Sequence, residues 1–114
     1  MKIVIKTEFI STNRLYTTTN HGRKVKTVAA REIKQMIYQE ASDQIKRDPF
    51  TDPLKVEIKF FFGDARRRDI DNIKGFIDAL TGVLWEDDSL IHELHLFKAI
   101  DRENPRSEVT VKKL

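Results

Sequence analysis

Strict alternation marks the clearest element in this chain. Leu54, Val56, Ile58, Phe60 and Phe62 recur at every second position, with Lys55, Glu57 and Lys59 between them. That period of two predicts a strand with one apolar and one polar face, ended by Gly63. Lys2 to Phe9 alternates more weakly, with Ile3 and Ile5 on one face, and predicts a first strand. A period near 3.6 appears twice. Ala30, Ile33, Ile37, Ala41 and Ile45 form the apolar stripe of a helix capped by Thr27 and stopped by Pro49. Ile73, Phe76, Ile77 and Leu80 form that of a second helix starting near Asp71, with Gly82 as its C′ residue. Leu90 to Ile100 and Glu108 to Lys113 read as two closing strands around a polar turn at Asn104-Pro105. The polar stretch from Ile10 to Lys26 reads as a loop, and its length marks it as either functional or mobile. The order β-α-β-α-β-β predicts an α+β fold of two layers, a mixed four-stranded sheet carrying both helices on one face.

A length of 114 residues makes this a single domain spanning 1–114, with a modest core. No apolar run reaches 18 residues, so no membrane span is expected. The short, alternating N-terminus does not read as a signal peptide. Cysteine is absent, which excludes disulfides and thiolate metal sites and suits the cytoplasm, the expected location.

The net charge of +3 conceals an asymmetry. From Arg14 to Lys34 six basic residues face one acid, Glu32, which leaves the rest of the chain at −2. A basic segment beside an acidic one suits a polyanion held on one side and a metal on the other, although a solvated surface loop would read the same way. The acids are concentrated. Asp64, Asp69, Asp71, Asp78, Glu86, Asp87 and Asp88 fall within 25 residues that also hold the run Arg66-Arg67-Arg68. Crowded carboxylates repel one another unless a cation sits among them. Asp69 and Asp71, with Asp87 and Asp88, form a hard-oxygen set suited to Mg²⁺ or Mn²⁺. The consecutive arginines suit phosphate. The bland alternatives are helix capping for Asp69 and Asp71, a turn for Asp87-Asp88, and an ion-pair ladder for Lys74 and Asp78.

Other chemistries lack their residues. His92 and His95 stand three apart in a strand and point to opposite faces, and His21 is alone in the loop. No zinc spacing, hydroxyl or thiol nucleophile pairing, or Gly-rich phosphate loop is present, and no small-molecule cofactor is implied.

Arg66-Arg67-Arg68-Asp69-Ile70-Asp71-Asn72, then Lys74, Asp78-Ala79-Leu80 and Trp85-Glu86-Asp87-Asp88, resemble in order and nearly in spacing the RusA family of Holliday-junction resolvases. Ser11-Thr12-Asn13-Arg14-Leu15-Tyr16 is similar to that family's stretch after the first strand. The resemblance implies a homodimeric, Mg²⁺-dependent endonuclease acting on four-way DNA junctions. It casts Asp69, Asp71 and Asp88 as the acidic triad, with Asp87 close by and Lys74 as the active-site lysine. Asn13, Arg14, Tyr16, Arg23, Lys24, Lys26 and Arg66 to Arg68 would contact DNA. One residue, Ile73, separates Asn72 from Lys74 where the family has two, which turns the lysine about 100° around a helix relative to Asp71. Two alternatives stay open on the residues: a non-catalytic DNA-binding protein, and a metal-dependent nuclease for other branched or single-stranded DNA.

Overall fold

A computed structural model describes residues 1–8, 16–18, 24–26, 28–66, 70 and 73–114. Its elements are β1 (Lys2–Ile5), β2 (Tyr16–Thr18), β3 (Lys24–Lys26), α1 (Val28–Gln44), β4 (Leu54–Phe62), α2 (Lys74–Leu80), a 3₁₀ turn (Asp88–Leu90), β5 (Ile91–Ile100) and β6 (Arg106–Lys113). Four strands form one mixed sheet in the order β1-β6-β4-β5. The first two junctions are antiparallel, and β4 with β5 is parallel. The expected α+β architecture stands.

The alternation in β4 decides the layering. Its even residues are all buried, and β6 sets Val111 beside Val56 and Val109 beside Ile58 on the same face. β1 contributes Ile3 and Ile5 to that face. Both helices cover it. α1 brings Ile37 and Ala41, and α2 brings Phe76, Ile77 and Leu80, with Ile73 just before it. The Phe76 ring meets Phe60 edge-on at 5.4 Å between centroids, and Phe62 stacks on Phe60 at 6.1 Å. Each fully buried large side chain contributes about 1.5–3 kcal/mol, so this seam is the principal stabiliser.

Four local expectations need correction. The first strand ends at Ile5, short of the expected Phe9. The segment read as one loop contains an antiparallel pair, with Tyr16 opposite Lys26 and Thr18 opposite Lys24. Its strands are three residues each and mostly polar, too short for a period-two signal to register. The second helix begins at Lys74, not near Asp71, and Ile73 occupies its cap position without a side-chain hydrogen bond. The last strand starts two residues earlier than expected, at Arg106. Thr27, the expected cap of α1, lies outside the described residues. Gly82 behaves as expected: at φ +92° it follows the C-cap Thr81, in a conformation that favours glycine. Gly63 ends β4 for a steric reason, since a Cβ there would stand 2.9 Å from the Pro105 ring.

The unit β4-α2-β5 is a parallel crossover, so the chain must return from the C-terminal end of β4 to the N-terminal end of β5. Nine residues of β4 span roughly 30 Å, whereas the seven residues of α2 recover only about 10 Å. The segments before and after α2 supply the rest. Those two segments carry most of the clustered acids.

Candidate active site

The turn that holds Asp87 and Asp88 is fixed from beneath. Trp85 is completely buried, and its indole N–H donates to Thr81 Oγ1 at 2.9 Å. Thr81 Oγ1 in turn donates to the Ile77 carbonyl at 3.0 Å, tying the indole to the last turn of α2. Backbone bonds complete the anchor: Phe50 N–H to Leu84 O at 3.0 Å, Glu86 N–H to Phe50 O at 2.9 Å, and Gly82 N–H to Trp85 O at 2.7 Å. Leu84 and Trp85 are therefore the core anchors of the turn, with Thr81 and Phe50 as their partners.

Glu86, Asp87 and Asp88 emerge from this anchor fully at the surface. Asp87 Oδ2 accepts the Ser89 backbone N–H at 3.0 Å and caps the 3₁₀ turn. Hydrogen bonding to Ser89 holds the Asp87 carboxyl below its ordinary value, so it is charged at neutral pH. The bland and functional readings of Asp87 thus coincide in one residue: it caps the turn and keeps the rest of its carboxylate open. Asp88 opens the 3₁₀ turn, and β5 begins three residues later.

The seven acids do not form one cluster. Asp64 follows the C-terminal end of β4 and accepts the Arg66 backbone N–H at 2.9 Å. Asp88 precedes the N-terminal end of β5, which lies beside the N-terminal end of β4, so Asp64 and Asp88 occupy opposite ends of the sheet. Asp78 faces Lys74 across one helical turn at 3.8 Å. Arg66 is exposed. Asp69, Asp71, Arg67, Arg68, Asn13, Arg14 and Arg23 lie outside the described residues, as do the side chains of Tyr16, Lys24 and Lys26. Among the described residues, no three acids or histidines come close enough to share a metal ion. The described half of the expected set is therefore the anchored Asp87-Asp88 turn together with Lys74.

Lys74 is two-thirds exposed, and its contact with Asp78 is long for an ion pair. Such a pair is worth well under 1 kcal/mol, so the ammonium can turn to a phosphate at little cost. Glu40 and Gln44 were not anticipated. Glu40 accepts the backbone N–H groups of Lys6 and Thr7 at 2.6 and 3.0 Å, and also the Thr7 hydroxyl. Gln44 accepts Val4 N–H at 3.0 Å and donates to Val4 O at 2.6 Å. Together they fasten β1 and the residues just after it onto α1. Their positions on the polar side of the α1 stripe were the available signal.

Among the described residues, no helix is long and apolar enough to cross a membrane. Comparison with curated proteins found no match. The sequence does match a family model, that of endodeoxyribonuclease RusA, over residues 7–112.

Proposed function

The chain belongs to the RusA endodeoxyribonuclease family, and from that premise we propose that it is a Mg²⁺-dependent, structure-selective endonuclease. It resolves four-way DNA junctions by paired phosphodiester cleavage, working in the cytoplasm as a homodimer. The observation that carries this reading is the acidic turn. A fully buried tryptophan and three backbone hydrogen bonds hold the turn that carries two exposed carboxylates, Asp87 and Asp88.

The donor set fits Mg²⁺, with Mn²⁺ as a substitute. Asp87 and Asp88 are hard oxygen donors, exposed and held by backbone bonds, and the sequence offers no soft ligand nearby. Asp69, Asp71 and Asp88 would hold the ion, with Asp87 beside them. An ion held there would supply an activated water and offset charge on the scissile phosphate. The protein's own residues do the remaining work. Lys74 leaves Asp78 to donate to the phosphate, a contribution that electrostatic stabilisers of this type make at about a hundredfold in rate. Arg66, Arg67 and Arg68 grip the backbone phosphates, and Arg14, Arg23, Lys24 and Lys26 extend the grip along an arm of the junction, with Asn13 and Tyr16. The anchored turn keeps the carboxylates in register with the substrate, because misplacement by about 1 Å can cost a hundredfold.

The test is a substrate panel. Purified protein is given a synthetic four-way junction, a flap, a single strand and a duplex, each in Mg²⁺ and in EDTA. Junction-selective cleavage that disappears in EDTA is expected. Binding without cleavage would mark a non-catalytic protein, and equal cleavage of flap or single strand would move the enzyme to another substrate.

A further inference from the structure

The two edges of the main sheet are treated differently. β1 is only four residues long, and Gln44 and Glu40 occupy backbone groups of Val4, Lys6 and Thr7 along and just beyond it. β5 is ten residues long, has neither proline nor glycine, and no strand among the described residues pairs with its outer side. Edges of that length are normally shortened, bent or covered, because their open N–H and C=O groups recruit another strand. β5 also carries apolar side chains that no helix covers. Leu94, Phe97 and Ile100 are 41%, 47% and 52% exposed. Leu94, Leu96 and Ile100 lie beside Val56, Ile58 and Phe62, so they extend the core face of the sheet past its last covered strand.

We propose that the outer edge of β5 is the surface on which a second copy of this chain docks, antiparallel and two-fold, joining two four-stranded sheets into one of eight. The proposal rests on the dimeric reading given above and locates its interface.

Strand geometry supports a second copy as the occupant. Asp101 N–H donates to Phe62 O, so odd residues of β5 turn their backbone groups toward β4. By alternation the even residues, Leu94, Leu96, Lys98 and Ile100, turn theirs outward. A two-fold axis normal to the sheet places residues of equal parity opposite one another, so outward groups meet outward groups. Centring that axis on Leu96 keeps the strand paired from His92 to Ile100. Leu96 then faces its own copy, His95 faces Phe97, Leu94 faces Lys98, and Glu93 faces Ala99. No like charges oppose one another, and the Lys98 stem lies along Leu94. Moving the centre to Phe97 would set Glu93 against Asp101. The central pairs alone exchange about six backbone hydrogen bonds.

The arrangement has a consequence for the site. The Asp87-Asp88 turn immediately precedes β5, so the two copies' turns fall at opposite ends of the paired strands. The two Ile91 residues stand on the order of 34 Å apart along the strand direction, close to the length of one turn of duplex DNA, about 34 Å.

The experiment combines oligomeric mass with amide exchange. Light scattering on the wild-type chain should give twice 13.4 kDa at micromolar concentration. Leu94→Pro removes an outward N–H that β4 does not use. Leu94→Lys sets two pairs of like charges opposite one another while changing a half-exposed side chain. Both should raise the dimer dissociation constant at least about a hundredfold, with a folded circular-dichroism spectrum. In the wild type, the Leu94, Leu96 and Ile100 amides should exchange slowly and lose protection on dilution; this readout does not depend on the variants folding. A monomeric wild type would overturn the proposal and the dimeric reading together. A dimer that survives Leu94→Lys, or whose outward amides exchange fast, would overturn the β5 surface alone and leave the dimeric resolvase reading in place.

Discussion

Replacing Thr81 by valine keeps the side-chain shape and removes one oxygen. That oxygen accepts the Trp85 indole N–H at 2.9 Å, and Trp85 is completely buried. The Ile77 carbonyl loses the Thr81 hydroxyl but keeps the Thr81 backbone N–H at 3.1 Å, so it stays satisfied. The cost is therefore that of one orphaned indole donor, about 1–3 kcal/mol. For a domain of this size that corresponds to a melting-temperature drop of roughly 5–12 °C. Trp85→Phe removes the donor and some packing volume, and should cost a similar or larger amount. The informative quantity is the double variant. With no indole left to satisfy, Thr81→Val should add little to Trp85→Phe, giving a coupling of about 1 kcal/mol or more. Thermal and urea unfolding followed by circular dichroism measure all four corners of the cycle, since Trp85 is the chain's one tryptophan and its fluorescence is lost in two of them. Additive effects within about 0.3 kcal/mol would refute the argument that this hydrogen bond holds the acidic turn.

Asp71→Asn should abolish junction cleavage in Mg²⁺ while junction binding is retained or tightened, because a carboxylate that repels phosphate is removed; unchanged cleavage would remove Asp71 from the metal site. Lys74→Ala should slow cleavage roughly a hundredfold and leave the melting temperature nearly unchanged, since its pair with Asp78 is long and exposed. A near-wild-type rate would return Lys74 to the surface ladder. Stability should fall as pH drops below the ordinary carboxylate range. The Arg106 hydrogen bond at 2.8 Å holds Asp101 below its usual value, and Lys2, followed by Arg106 at 2.7 Å, does the same for Glu108. Their folded-state values are depressed, so this stabilisation is complete above the unfolded values. It is lost as protons bind on the way down through the folded ones. Arg106→Gln should flatten the melting temperature between about pH 5 and about pH 2, and an unaltered acid slope would count against the stabilising pairs of Arg106 with Asp101 and Glu108.

The parts of the fold that were legible in the sequence are those where one physical rule acts alone. β4 sits between layers with one face buried, so burial imposed strict alternation from Leu54 to Phe62. The α2 stripe is equally plain, because Phe76, Ile77 and Leu80 must all meet the same sheet. Its start was misplaced because the polar residues before it, Asp71 and Asn72, suit a first helical turn as well as the segment preceding one. The β2–β3 pair escaped notice since three-residue strands of Thr and Lys carry no burial pattern. At the candidate site, the place of Trp85 beside the paired acids showed in the sequence. Its hydrogen bond to Thr81 did not, because a four-residue spacing through the Gly82 turn is a tertiary arrangement. The open edge of β5 was hidden for the opposite reason: Leu94, Phe97 and Ile100 look like core until the sheet order leaves β5 at an edge that no other strand among the described residues pairs with.

Paired incision is the property that separates a resolvase from other nucleases, and one product ratio reports it. A supercoiled plasmid with an extruded cruciform is treated with the wild-type protein in Mg²⁺ under single-turnover conditions, and the topological forms are separated over time. A two-fold dimer with one acidic site per copy should cut both opposed strands within one binding event. Linear plasmid should then appear without accumulation of nicked circles, and EDTA should prevent any change. Accumulating nicked circles, or cleavage that proceeds in EDTA, would contradict the account.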